Sequence, residues 1–329
     1  MAGAVIFGCA GPVLSAQEAA FFRDADPWGF ILFDRNLENP AQIRALTASL
    51  RAAVGREAPI LIDQEGGRVQ RLWPPTWRQH PPALDLCEAA PDPVCAMYLR
   101  GRLIAAELAA LGIDVNCAPN ADIATADTHP RLRNRCYGTR AADVIRRARA
   151  MADGLLAGGV LPVVKHMPGH GSATKDSHLE LPVVTKSRDA LAAQDAAPFA
   201  ALNDLPMAMT AHVVFTAYDE ARPATTSPTL HRVMRGEIGF GGLLMTDDLA
   251  MEALTGTPAE RAEAAQAAGC DIILHCNGAL AEMETLAHLT LTQAAQTRAA
   301  AALARRAPAT DVDIAALEAD LSAMEGHAA

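Results

Sequence analysis

The sequence predicts an α/β protein built as a single (β/α)8 TIM barrel, and three observations carry that expectation. Short apolar runs of strand length recur eight times along the 329 residues, each followed by a turn and an alanine-rich segment of helical periodicity. Most runs are continuously apolar rather than alternating, as parallel strands covered on both faces require. The competing doubly wound fold needs a glycine-rich phosphate loop after its first strand, whereas this chain reads Gly8-Cys9-Ala10-Gly11-Pro12 there.

In order, the expected strands are residues 4–9, 29–34, 60–63, 114–118, 162–167, 208–214, 243–247 and 271–276. Helix-start signals fall between them. Ser15 with Glu18 has the spacing of a capping box, and Asn39 before Pro40 and Ser227 before Pro228 place a cap ahead of a first-turn proline. Beyond Gly278 the chain is alanine-rich and helical, and residues 311–324 read as a last amphipathic helix on the outside. No linker, charge block or repeat marks a boundary, so residues 1–329 are expected to form one catalytic barrel domain with a C-terminal helical extension.

Composition narrows the function classes. Half the residues are hydrophobic but only 4% are aromatic, which suits small-residue helix packing over a β-sandwich. A net charge of −10 disfavours nucleic acid as a partner, because gripping phosphates needs a positive stripe. The seven cysteines are odd in number and form no C-x-x-C pair, which fits a reduced, cytoplasmic setting. Residues 1–11 are apolar and contain Ile6-Phe7-Gly8-Cys9, which is similar to a lipoprotein cleavage site, yet they lack the basic start of a signal peptide, the apolar run before Cys9 is too short, and they are expected to be a buried first strand. No apolar run approaches the roughly 20 residues of a membrane helix, so no membrane association is expected and the chain should be soluble. Nothing in the sequence calls for an obligate protein partner.

In a barrel of this kind the active site lies at the carboxyl ends of the strands, and those ends are polar here. The third run ends in Asp63-Gln64-Glu65-Gly66-Gly67-Arg68, the fifth in Lys165-His166-Met167-Pro168-Gly169-His170-Gly171, the sixth in His212, and the seventh in Thr246-Asp247-Asp248. Taken singly, each has a bland reading: Asp248 suits a cap of the following helix, Lys165 a structural ion pair, and His166 and His212 satisfied core histidines. Their concentration on one rim favours a site. Residues 169–178 join strand five to the next helix and read as a mobile polar loop. Asp176 two residues before His178 can hold an imidazole in one tautomer, as a general acid/base needs. His170, Asp176 and His178 match no standard zinc spacing, so neither a metal nor another cofactor is expected.

On these segments the chain resembles glycoside hydrolase family 3, and within it the β-N-acetylglucosaminidase branch. The anchors are Gly29-Phe30-Ile31-Leu32-Phe33, Asp63 to Arg71, Asn134-Arg135, Lys165 to Gly171, Asp176-Ser177-His178 and Thr246-Asp247-Asp248-Leu249. The resemblance implies that Asp247 is the nucleophile, that His178 with Asp176 is the acid/base dyad, and that Asp63, Arg71, Arg135, Lys165 and His166 contact the sugar. The chain departs from the pattern at Cys136-Tyr137, where Ser-Phe is usual, and in the irregular stretch 122–132. It is too short for the extra α/β domain that many relatives carry. The resemblance also implies a cytoplasmic retaining enzyme of peptidoglycan recycling, serving cell-wall biogenesis. Its substrate would be terminal N-acetylglucosamine on fragments containing anhydro-N-acetylmuramic acid, with or without their peptides. Two other readings stay open at the level of sequence: a phosphorylase, because an imidazole tolerates an incoming phosphate that a second carboxylate would repel, and a non-catalytic sugar-binding barrel.

Overall fold

The apolar runs fold into a ring of parallel strands. The computed structural model describes residues 2–325 apart from Asp176, His178, Leu179, Asn277, Gly278, Ala309 and Asp311. The strands are β1 Gly3–Gly8, β2 Pro27–Leu32, β3 Ile60–Ile62, β4 Val115–Asn116, β5 Leu161–Met167, β6 Met207–Thr210, β7 Leu243–Met245 and β8 Ile273–His275. Their spatial order follows the chain, every hydrogen-bonded pair is parallel, and β1 lies against both β2 and β8. The β7–β8 seam closes through a parallel bridge between Met245 and Ile272 and the Leu249 N–H bond to the Leu274 carbonyl at 3.0 Å.

Side chains alternate across this ring because successive strand residues point to opposite faces. Ile6, Ile31, Leu61, Val115, Leu161 and Val163 belong to the inner cluster. Their neighbours Phe7, Phe30, Ile62 and Val164 pack outward against the helices. Both faces are therefore apolar, which is why the runs show no hydrophobic alternation in sequence.

The helix starts are those the sequence marks. Ser15 and Glu18 form a reciprocal capping box on Ala16–Ala25, Asn39 caps Pro40–Val54, and Ser227 caps Pro228–Arg232. The last helix, Ile314–Met324, begins three residues later than expected and packs against the long helix Pro93–Ala110. Leu321 is its fully buried anchor, and Glu325 just beyond it pairs with Arg78 at 2.6 Å.

One expected strand is two. The run 208–214 leaves the ring after Thr210, and Val214–Phe215 pairs instead with Val183–Val184 outside the barrel. The hydrogen bonds explain the break: the amides of Val214 and Thr216 bond the carbonyls of Pro182 and Val184 rather than a ring neighbour. β5 ends at Met167 as expected, and the other strands end one or two residues before the expected termini, which places Asp63 and Asp247 just past β3 and β7. No described helix is long and apolar enough to cross a membrane.

Candidate active site

The polar residues ending β3, β5 and β7 converge on one cleft. Asp63, Arg71, Arg135, Lys165, His166 and Asp247 all line it, and the described neighbours of the loop dyad, Lys175 and Ser177, line it too. Asp176 and His178 themselves lie outside the described residues.

Local structure aims each group. After Asp63 the chain doubles back in a tight turn, with the amides of Glu65 and Gly66 both bonded to the Val69 carbonyl at 2.9 and 3.1 Å. Gly66 holds φ at +103°, and a Cβ there would overlap the Arg100 guanidinium and crowd the His80 Cβ. Only glycine fits without displacing them. The buried Gln64 side chain then accepts from the amides of Arg71 and Leu72, at 2.9 and 3.1 Å, which fixes the returning strand. Arg71 lies over the Phe33 ring at 5.2 Å and reaches Asp63 at 3.5 Å. At the end of β5, Lys165 and His166 are joined by a cis peptide, and both side chains line the cleft.

The groups form an alternating network of charge. Lys165 Nζ donates to Asp63 Oδ1 at 2.8 Å and lies 2.7 Å from Glu65 Oε1. Arg135 grips Glu65 with two bonds, Nε to Oε2 at 3.0 Å and Nη2 to Oε1 at 2.8 Å, and its Nη2 stands 3.4 Å from His166 Nε2. On the far side His166 Nδ1 bonds Asp122 Oδ2 at 2.7 Å, while Asp122 Oδ1 accepts from the His170 amide at 2.7 Å. Asp122 is fully buried.

These contacts decide the protonation states. Burial alone would raise the carboxyl of Asp63, but Lys165 and Arg71 outweigh it and hold the group below its usual range. Glu65 is held down by Arg135 and Lys165 against the same burial. Burial favours the neutral amine of Lys165, yet Asp63 and Glu65 push its value up. Asp247 is also opposed by burial, and it is nevertheless lowered to about 2 by His166, His212, the Asp248 amide and Lys165. His170 is lowered to about 4, by burial first and then by His166, so it is neutral near pH 7.

Asp63 and Asp247 differ in one respect that bears on chemistry. Both oxygens of Asp63 face cations, whereas Asp247 accepts a single bond at Oδ1, from the Asp248 amide at 2.8 Å. Among the described residues nothing bonds its Oδ2.

Asp248 does not cap the following helix: that helix, Pro258–Ala268, is capped by Thr257, while Asp248 Oδ1 accepts from the amides of Ala250 and Cys276 and ties β7 to the end of β8. The bland reading of His212 holds: it is buried and bonds Thr225 Oγ1 at 2.7 Å and the Asp248 carbonyl at 3.0 Å. Sequence reasoning gave no role to Glu65, although it sits inside the Asp63 to Arg71 segment, and missed Asp122, which lies in the stretch that departs from the family pattern. Among the described residues no group of three or more His, Cys, Asp or Glu side chains is placed to hold a metal ion.

Residues 14–306 match the family described as Glycosyl hydrolase family 3 N terminal domain. The chain is 38% identical over 296 residues to a beta-hexosaminidase of Alkalilimnicola ehrlichii, covering 87% of this chain and 84% of that one. It is 38% identical over 295 residues to a beta-hexosaminidase of Vibrio cholerae serotype O1, covering 88% and 87%. Among solved structures it is similar to NagZ from Neisseria gonorrhoeae in complex with N-trifluoroacetyl-D-glucosamine, at 32% identity and a TM-score of 0.85, covering 99% of this chain and 96% of that one. It is likewise similar to a glycoside hydrolase family 3 beta-N-acetylglucosaminidase from Paenibacillus sp. str. FPU-7, at 32% identity and a TM-score of 0.88, covering 98% and 67%.

Proposed function

The chain belongs to glycosyl hydrolase family 3 and is a glycoside hydrolase of the β-hexosaminidase type, and on that premise we propose that it is a retaining exo-β-N-acetylglucosaminidase with Asp247 as nucleophile. The observation that carries this reading is the state of Asp247: ionised, on the cleft wall, and with one oxygen unengaged among the described residues. A nucleophile needs an unengaged oxygen at the anomeric carbon, and both oxygens of Asp63 already face cations, which leaves them less nucleophilic though still able to accept from hydroxyls.

In this mechanism Asp63, Arg71, Arg135, Lys165 and His166 hold the sugar, with the cations donating to hydroxyl and acetamido oxygens and Asp63 accepting from hydroxyls. Asp247 attacks the anomeric carbon while His178, oriented by Asp176, protonates the leaving oxygen. His178 then deprotonates the water that frees the enzyme. Lys175 and Ser177, on either side of Asp176 and just before His178, line the cleft, which supports bringing the dyad to the scissile bond. The mechanism assigns no step to a metal.

We further assign the substrate as N-acetylglucosaminyl muropeptide fragments containing anhydro-N-acetylmuramic acid, acted on in the cytoplasm by the whole chain as one catalytic domain. Arg68, Arg131 and Lys175 at the mouth suit an aglycone that carries lactyl or peptide carboxylates. The seven cysteines are all free thiols, which suits a reducing compartment.

A 2-fluoro glycosyl reagent tests the nucleophile, because it slows release of the covalent intermediate. Peptide mapping should place the sugar on Asp247. A label on Asp248, or an NMR time course showing the α-product first, would remove the assignment.

A further inference from the structure

Glu65 stands one layer behind the cleft. It is 2% exposed and does not line the pocket, but both of its partners do. Its Oε1 lies 2.7 Å from Lys165 Nζ and accepts from Arg135 Nη2 at 2.8 Å, while Oε2 accepts from Arg135 Nε at 3.0 Å. One carboxylate thus sets the position of two cations that come from different parts of the barrel, one at the end of β5 and one after the short helix Pro130–Arg133.

The donor inventory shows what this leaves for a ligand. Lys165 has three N–H donors, and two are directed at Asp63 and Glu65. One remains. Arg135 has five, of which its Nε and Nη2 donors face Glu65 and His166, and the Nη1 pair has no partner among the described residues.

We propose that Glu65 is a positioning residue of this hydrolase: by clamping Lys165 to Arg135 from behind, it fixes where their remaining donors meet the sugar. The inference rests on the reading of Lys165 and Arg135 as sugar contacts.

Replacement by glutamine is a sharp probe, because the isosteric amide keeps the shape and loses the acceptor pair. Either orientation sets its NH2 against a donor of Lys165 or Arg135. Two buried cations then face Asp63 alone on this side of the cleft.

The experiment measures kcat and KM for Glu65→Gln, Glu65→Asp and Lys165→Met on a chromogenic N-acetyl-β-glucosaminide, beside competitive inhibition by free N-acetylglucosamine. Misplacing sugar contacts should cost Glu65→Gln about 10²-fold in kcat/KM, and N-acetylglucosamine should inhibit it more weakly than wild type. Glu65→Asp keeps the charge on a shorter arm, so it should lose activity but less than Glu65→Gln. A Glu65→Gln variant with wild-type kcat/KM, or one whose kcat/KM falls while N-acetylglucosamine inhibits as in wild type, overturns the proposal. Should Glu65→Gln fail to fold, Glu65→Asp decides, and wild-type kcat/KM in that variant overturns it. Lys165→Met separates the two layers of the argument. If it retains full kcat/KM, the sugar-contact reading of Lys165 fails; if it falls while Glu65→Gln does not, the role of Glu65 alone fails.

Discussion

At the scale of single residues, the site offers two Asp–His pairs for one acid/base role. His166 with Asp122 is buried in the cleft wall at 2.7 Å, and His178 with Asp176 belongs to the loop. His166 is also engaged at its other nitrogen by Arg135, which can only donate. An imidazole held from both sides suits a fixed contact better than a proton shuttle. The assignment of His178 therefore predicts an uneven loss. General acid catalysis typically supplies ~10² to 10⁴-fold, so His178→Ala should cost roughly 3 to 5 kcal/mol on a disaccharide with a poor leaving alcohol. An aryl glycoside needs little protonation in its first step, so the mutant should release a burst of phenol and then stall. Equal slowing of both substrates without a burst would make His178 a binding residue, and the uneven pattern in a His166 variant would move the role there. Asp63, Lys165, His166 and Asp247 were legible in sequence because each ends an apolar run with a charged or imidazole side chain, whereas Arg71 and Arg135 end no such run and were marked only by the family resemblance. Glu65 and Asp122 were not legible. Their importance comes from Arg135 and His166, 70 and 44 residues away, and no local pattern encodes a partner at that distance.

At the scale of elements, the sequence marked helix starts more accurately than strand ends. Caps are local chemistry: Ser15 and Glu18 need only each other and the backbone between them. Strand ends depend on which neighbour supplies hydrogen bonds, and so the run 208–214 divided where Val183–Val184 became available. The turn after β3 combines local and distant demands. Gly66 needs a positive φ, and Arg100 and His80 occupy the space where a side chain would go. Gly66→Ala should therefore destabilise the protein by about 2 kcal/mol or more. It should also lower kcat/KM, because Glu65 and Arg71 flank the same turn. Gly11 has no neighbour within 4 Å of a Cβ and no left-handed backbone angle, so Gly11→Ala should stay within about 0.5 kcal/mol of wild type. Urea unfolding of the two variants checks the contrast, and equal midpoints would mean that the turn relaxes around the new methyl group.

At the scale of the whole molecule, the barrel buries more imidazole than it can afford to protonate. His80, His170, His212, His231 and His275 all have folded values below the ordinary histidine range, in each case because burial disfavours the cation. In the unfolded chain each protonates near pH 6.5. The unfolded state then binds more protons than the folded state, so stability is full above about pH 6.5 and falls as the pH drops toward the folded values, which for His170 is about 4. Each histidine contributes about 1.4 kcal/mol per pH unit inside that window. Glu107 acts in the opposite sense. Burial raises it to about 7, so between about pH 4.3 and 7 it is protonated in the fold and ionised when unfolded, and it adds stability as pH falls. Five histidines act against Glu107, and against Asp153 and Asp248, whose carboxyls burial also raises, so the net uptake on unfolding is at most four protons, or at most roughly 5 kcal/mol per pH unit. The ionised carboxylates of the cleft add their loss only below about pH 4, where unfolded Asp and Glu begin to protonate. Acid sensitivity should therefore begin near pH 6.5, and urea midpoints measured from pH 7.5 to 5.0 should fall steadily. His80 isolates one proton of that slope. It is fully buried, neither ring nitrogen has a partner among the described residues, and Arg100 and Arg78 further oppose its cation. His80→Leu removes the titrating ring without breaking a side-chain hydrogen bond, so it should flatten the dependence by about one proton and gain its advantage only below pH 6.5. A midpoint that stays level from pH 7 to 5, or a His80→Leu slope equal to wild type, would show that these histidines take up their protons without unfolding.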